Sequence, residues 1–84
     1  MHKDRYLETL QLINEFHQKY TYSPSIRDLA DNLGITAAGV SLRLKKMEEE
    51  LGWIERVASR ALRVTEKGYE VLQETGHFNP QGTN

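Results

Sequence analysis

The residues best suited to chemistry in this chain are cations that cluster in its second half. Seven of the 11 Lys and Arg residues lie between residues 36 and 67, and the stretch from Arg56 to Thr65 holds three arginines and no acid. Guanidinium and ammonium groups pair with phosphates. Because the whole chain carries a net charge of −1, a polyanion-binding surface has to be a local patch in this half.

A second group of residues, just ahead of these cations, has recognition chemistry. A threonine at a helix start offers a hydroxyl or a free backbone N–H to a phosphate, and an alanine methyl can touch the thymine methyl. Serine and lysine side chains bond to base edges. Alanines are also plain helix formers and lysines are commonly solvated, so those interpretations stay open. The group comprises Thr36, Ala37, Ala38, Gly39, Ser41 and Lys45.

The sequence contains no pattern that is typical of a catalytic or metal-binding site. The chain has no cysteine, and His2, His17 and His77 lack the short pair spacing of a metal site. Ser41 has neither a neighbouring base nor the glycines of a nucleophile elbow, and no glycine-rich phosphate loop occurs. We therefore expect no enzyme activity, no metal, no cofactor and no small-molecule substrate.

The first two elements that position these residues follow from apolar spacing and capping residues. Spacing predicts an amphipathic helix over residues 4–20, which is broken by Ser23-Pro24. A short helix then starts at Ser25, whose hydroxyl forms a variant capping box with the carboxylate of Asp28. Gly34 is expected to end this helix in a left-handed conformation.

A third helix is predicted from Ala37 to about Leu51, with Thr36 as its N-cap and Gly52 as its end. At 100° per residue one face is buried and the opposite face is solvent-exposed. The buried stripe comprises Val40, Leu44, Met47 and Leu51, and the exposed face comprises Ala38, Leu42, Lys45 and Glu49.

Beyond Gly52 the spacing of apolar residues changes from helical to alternating. This predicts a β-hairpin with strands over residues 53–57 and 61–65. Its inward residues are predicted to be Ile54, Leu62 and Val64, with Arg63 pointing outward. Thr65 is expected to cap a last short helix that packs on the core up to about Thr75. Residues 1–75 are thus predicted to form one domain, and residues 76–84 a flexible tail.

This order of elements outlines a winged helix-turn-helix, a mainly α fold with a small β-hairpin. Three runs resemble the DNA-binding domain of the LexA repressors: YSPSIRDLADNLGI at residues 22–35, LKKMEEELGWI at 44–54 and ASRALRV at 58–64. The resemblance covers roughly residues 6–65, and residues 65–68 are also similar to winged-helix regulators of the MarR kind. It implies a three-helix bundle with a two-stranded wing that binds operator DNA, usually as a dimer.

Two departures from the LexA pattern limit what the resemblance implies. LexA repressors carry a second, self-cleaving domain with a Ser/Lys pair, which we do not expect in this chain. The segment from Ile35 to Val40 is also about one residue shorter than in LexA, so contacts at the start of the recognition helix do not transfer one for one. The positions that transfer are the helix beginning at Thr36, Arg27 on the preceding helix, and the wing.

The sequence therefore predicts sequence-specific binding of double-stranded DNA, as a transcriptional repressor or regulator. The helix that starts at Thr36 would enter the major groove, and the wing from Arg56 to Arg63 would lie on the backbone or in the minor groove. The wing arginines are expected to have little else to pair with. The predicted DNA-binding residues are Arg27, Thr36, Ala37, Ala38, Ser41, Leu42, Arg43, Lys45, Lys46, Arg56, Ser59, Arg60 and Arg63.

Other interpretations stay open. A winged helix can serve as a protein-interaction module, which the net charge of −1 and an outward Leu42 favour, or as an accessory replication or recombination factor. Leu42 could touch thymine methyls or a partner protein, or be a single exposed leucine. A homodimer is reasonable because one small domain contacts one half-site. With no apolar run of about 20 residues, we expect no membrane span and a cytoplasmic location.

Overall fold

The computed structural model of the protein describes residues 2–20, 22–57 and 61–75. Within these ranges, four α-helices and one antiparallel hairpin follow one another in the predicted order. They are α1 (His2–Tyr20), α2 (Ile26–Leu33), α3 (Ala37–Lys46), β1 (Ile54–Arg56), β2 (Leu62–Val64) and α4 (Glu66–Glu74). A mainly α winged helix-turn-helix is therefore confirmed as the fold.

The α2–turn–α3 unit is built by its capping residues, as predicted. The Ser25 hydroxyl accepts a hydrogen bond from the Asp28 N–H, and the Asp28 carboxylate accepts one from the Ser25 N–H, both at 3.0 Å. Gly34 ends α2 at φ 71°, and its N–H donates to the Ala30 carbonyl at 2.9 Å. Three residues separate α2 from α3, which is the length of turn that joins the two helices of a helix-turn-helix.

The end of α3 differs from the prediction. The α-helix stops at Lys46, and Met47–Leu51 form one turn of π-helix before Gly52 at φ 70°. The predicted stripe is nevertheless buried at Val40, Leu44 and Met47. A single wide turn escapes periodicity analysis because its five residues contribute only two apolar positions, Met47 and Leu51.

The wing pairs β1 with β2 so that Ile54 lies opposite Val64 and Arg56 opposite Leu62. Ile54, Leu62 and Val64 are buried and Arg63 is exposed, which confirms the predicted alternation. The predicted tip residues Ser59 and Arg60 lie outside the described residues, as does the predicted tail over residues 76–84.

Thr65 joins the wing to α4. Its hydroxyl accepts from the Gly68 N–H at 3.1 Å, as a predicted N-cap does, and donates to the Gly52 carbonyl at 2.6 Å. Gly68 lies so close to the wing that a Cβ there would overlap the Trp53 carbonyl oxygen and come within 2.8 Å of Val64. A single core joins these elements: α1 supplies Leu10 and Ile13, and α4 supplies Leu72.

Candidate nucleic-acid interface

The N-terminal tip of α3 is bare. Thr36, Ala37 and Ala38 are all exposed, which confirms that this tip stands clear of the described part of the chain. The Thr36 hydroxyl accepts a hydrogen bond from the Gly39 N–H at 3.0 Å, so its own proton remains available to an acceptor. The backbone N–H groups of Ala37 and Ala38 have no intrahelical partner, because they belong to the first turn of a helix. The tip therefore offers several donors in one small area.

The exposed face continues along α3 from this tip. Ser41, Leu42 and Lys45 are all exposed, and Leu42 keeps 71% of its surface in solvent. This face lies opposite the buried stripe, as predicted. It combines a hydroxyl, an aliphatic group and an ammonium group, which are the groups that read base edges and thymine methyls in a major groove.

Arg43 has a structural partner that the sequence did not indicate. Its Nη1 donates to the Arg5 carbonyl at 3.3 Å and to the Thr9 hydroxyl at 3.1 Å. The hydroxyl of Thr9, a fully buried residue, itself donates to the Arg5 carbonyl at 2.9 Å. The predicted phosphate contact at Arg43 stays a prediction, and the same guanidinium also fixes α3 against α1.

The expectation that the wing arginines have little else to pair with is wrong for two of them. Arg63 forms an ion pair with Glu55 directly across the hairpin, and Arg56 Nε lies 3.5 Å from a carboxylate oxygen of Glu48. Sequence spacing does not predict these pairs. The first depends on strand register, and the second on how the wing packs against the turn of π-helix over Met47–Leu51, called the π-turn below. Exposed pairs of this kind contribute only about 0–1 kcal/mol, so a phosphate can replace the carboxylate.

The remaining predicted cations differ in their surroundings. Arg27 on α2 and Lys45 on α3 are exposed, and neither pairs with a carboxylate among the described side chains. Lys46 lies 3.5 Å from Glu50, one turn further along. The bare tip of α3 is thus accompanied by unpaired cations on α2 and α3 and by paired arginines on the wing.

One cation beside this face, Arg5, was not predicted from the sequence. An open groove of about 480 Å³ lies between the start of α1 and α3, and Arg5 lines it together with Arg43 and Lys46. Tyr6 and Leu42 add apolar surface to the groove, and Glu49 and Glu50 also line it. Helical periodicity identifies the buried stripe of α1, but it does not say which polar residue of that helix faces α3.

His17 lies outside this interface, in the last turn of α1. It is half-buried, and its Nε2 lies 3.3 Å from the hydroxyl of Ser23. Burial lowers the pKa of His17 below its usual value, while a hydrogen bond with the Leu62 backbone acts in the opposite direction. Within residues 2–20, 22–57 and 61–75, no group of three or more His, Asp or Glu side chains is arranged to hold a metal ion.

The three-helix core, the short turn between α2 and an α3 with a bare N-terminal tip, and the two-stranded wing define a winged helix-turn-helix domain of the DNA-binding type. The family model described as the LexA DNA binding domain matches residues 3–64. The chain therefore belongs to this family and is a DNA-binding domain. No curated protein matches the chain. Among the described residues, no helix is both long and apolar enough to cross a membrane.

Proposed function

We propose that the protein is a transcriptional repressor that binds one class of double-stranded DNA sequence. The observation that carries this proposal is the bare N-terminal half of α3, where Thr36, Ala37 and Ala38 are exposed at the end of a helix fixed firmly by its buried stripe. A helix of about 10–12 Å diameter fits a major groove about 12 Å wide.

In this arrangement, successive parts of the exposed face of α3 contact different parts of the DNA. The tip contacts phosphate through Thr36 and approaches base edges through Ala37 and Ala38. Ser41, Leu42 and Lys45 reach the following base pairs and supply most of the sequence preference. Lys46 and Arg27 contact phosphates, which orient the domain without reading sequence.

The wing completes the contact on one side of α3. Arg56 and Arg63 exchange their carboxylate partners for phosphates, and Ser59 and Arg60 are the further wing residues that we propose to contact DNA, Arg60 in the minor groove. One domain of this size covers a single half-site, so we propose that two copies bind an inverted repeat.

Selection from random DNA duplexes tests this function. We expect the protein to enrich one sequence class, arranged as an inverted repeat. Ser41→Ala and Lys45→Ala should change the enriched bases, whereas Arg63→Ala should weaken binding to all sequences alike. Glu70→Ala, an exposed change on α4, serves as the matched control and should alter neither. A library that shows no enrichment at low salt would contradict the proposal.

A protein-interaction module is the second candidate, and specific observations favour it. The net charge is −1, Leu42 is exposed, and Lys46, Arg56 and Arg63 are already neutralised by glutamates. Heparin chromatography separates the two functions. Retention beyond physiological salt supports DNA binding, and flow-through supports the interaction module.

A further inference from the structure

We propose that Arg5 and Arg43 together bind one backbone phosphate of the DNA strand that follows the groove between α1 and α3. The inference rests on the proposed function and adds a contact on α1, an element outside the helix-turn-helix and the wing. The ligand is a phosphodiester of double-stranded DNA, and the site uses the two guanidinium groups at the start of the groove.

The groove lies beside the exposed face of α3, since Leu42 and Lys45 line it together with Arg5. At 100° per residue, Arg43 and Lys46 lie on one side of the stripe formed by Ala38, Leu42 and Lys45, and Glu48 lies on the other. The structure agrees, because Arg43 contacts α1 and Glu48 contacts the wing. A helix in a major groove has a DNA strand on each side, so one strand passes the wing and the other passes α1.

Arg43 is held on this side of α3 by its hydrogen bonds to α1. Both of its hydrogen bonds to α1 are donated by Nη1, so Nη2 and Nε are the nitrogens from which a phosphate contact comes. The acceptors are the Arg5 carbonyl and the Thr9 hydroxyl, and the latter is itself tied to the same carbonyl. This triangle holds the Arg43 guanidinium beside the backbone of Arg5 before any ligand arrives, which lowers the entropy lost on binding.

The start of the groove carries positive charge from Arg5 and Arg43. Arg5 is exposed and Arg43 is half-buried, and neither forms an ion pair with a described carboxylate. Both arginines line one groove, so an anion that contacts both guanidinium groups is attracted by two positive charges. Arginine suits this task because its planar fork of N–H donors matches two phosphate oxygens.

The carboxylates of the groove restrict where the phosphate sits. Glu49 and Glu50 also line the groove, and Glu50 lies 3.5 Å from Lys46. These carboxylates lie in the turn of π-helix that follows α3, beyond Arg43, so the phosphate lies at the end of the groove near Arg5 and Tyr6. Lys46 is partly neutralised and contributes less than the two arginines.

Binding of Arg5→Ala to the selected duplex, measured over a range of salt concentrations, tests this site. We expect affinity to fall about tenfold for every sequence, and the log–log salt slope to lose about 0.9 in magnitude, the value for one phosphate. Lys19→Ala is the control, because Lys19 is exposed on the same helix about 21 Å further along and should leave affinity and slope unchanged. Thermal unfolding of both variants checks that the fold is intact.

Three results would overturn the inference while leaving the proposed function standing. The first is an Arg5→Ala variant with the affinity and salt slope of the wild type. The second is a changed sequence preference in that variant, which would mean that Arg5 reads bases. The third is a changed oligomeric state with an unchanged slope, which would make the groove an interface between two copies. If the wild type binds no duplex, the proposed function itself fails.

Discussion

At the scale of single residues, His17 connects the fold to solution pH. Burial lowers its pKa below the usual value of 6.5, so the folded protein favours the neutral ring more than the unfolded chain does. The stability this provides is fully present above pH 6.5 and is lost as pH falls through the folded-state pKa, because the unfolded chain then binds more protons.

We therefore expect the free energy of unfolding to decrease as pH is lowered from above 6.5, and His17→Gln to remove part of that decrease. Glutamine keeps an N–H donor near Ser23 but does not titrate. Urea unfolding at a series of pH values measures this, and the carboxylates that titrate at lower pH contribute equally to both proteins. Parallel stability curves for the two proteins would show that His17 does not contribute.

The position of Arg43 beside the recognition helix was predicted from the sequence, but its hydrogen-bond partners were not. The sequence identifies a cation beside the recognition helix, and the structure places it there, half-buried. Its bonds to the Arg5 carbonyl and the Thr9 hydroxyl join residues at least 34 positions apart. Such partners follow from the packing angle between α1 and α3, which local spacing does not fix.

At the scale of elements, Ser23 ties the turn after α1 to the wing. Its hydroxyl donates to the Leu62 carbonyl at 3.1 Å and accepts from the Leu62 N–H at 3.0 Å, and so satisfies both backbone groups of this β2 residue. Backbone groups at a strand edge are costly to leave unpaired when they are partly buried. One side chain thus sets the position of the wing relative to the helical core.

Ser23→Ala should lower the free energy of unfolding by about 1–3 kcal/mol, because the Leu62 N–H loses its partner and the Leu62 carbonyl loses one of its donors. Ser41→Ala removes the same hydroxyl from an exposed site on α3 and should change stability by less than about 0.5 kcal/mol. Chemical denaturation of both variants measures the difference. Equal stabilities would mean that solvent replaces the Ser23 bonds without loss.

The ion pairs of the wing lead to a prediction about binding. If Arg63 reaches a phosphate, it must leave Glu55, so Glu55→Gln should strengthen DNA binding about two- to fivefold at low salt. Glu8→Gln makes the same change of charge on an exposed residue of α1, and should have a smaller effect. Titrations of both variants with one labelled duplex give the comparison, and equal gains would indicate that only net charge matters.

The sequence predicts the elements of this fold wherever their signals are local. Ser25, Thr36 and Thr65 cap the helices as expected, and Gly34 and Gly52 take the left-handed conformation that ends them. The π-turn was missed because it occupies a single turn. The pairing of Arg56 with Glu48 was missed because it depends on how the wing packs against that turn, which no local signal specifies.

At the scale of the whole molecule, binding depends on where charge lies and not on its sum. The net charge is −1, yet Arg27, Arg43 and Lys45 surround the exposed half of α3 without carboxylate partners among the described side chains. With about six phosphate contacts per domain, the log–log slope of affinity against salt should be about −5 for each domain bound. Titrations between 50 and about 200 mM salt measure this slope, and a value near zero would exclude an electrostatic interface.

Methylation interference on the selected duplex shows whether the exposed half of α3 lies in the major groove. Dimethyl sulfate modifies guanine N7 in the major groove and adenine N3 in the minor groove. We predict that N7 methylation within the core of each half-site prevents binding, and that N3 methylation matters only beside it, where the wing lies. Interference confined to adenine N3, or none at either position, would contradict the account.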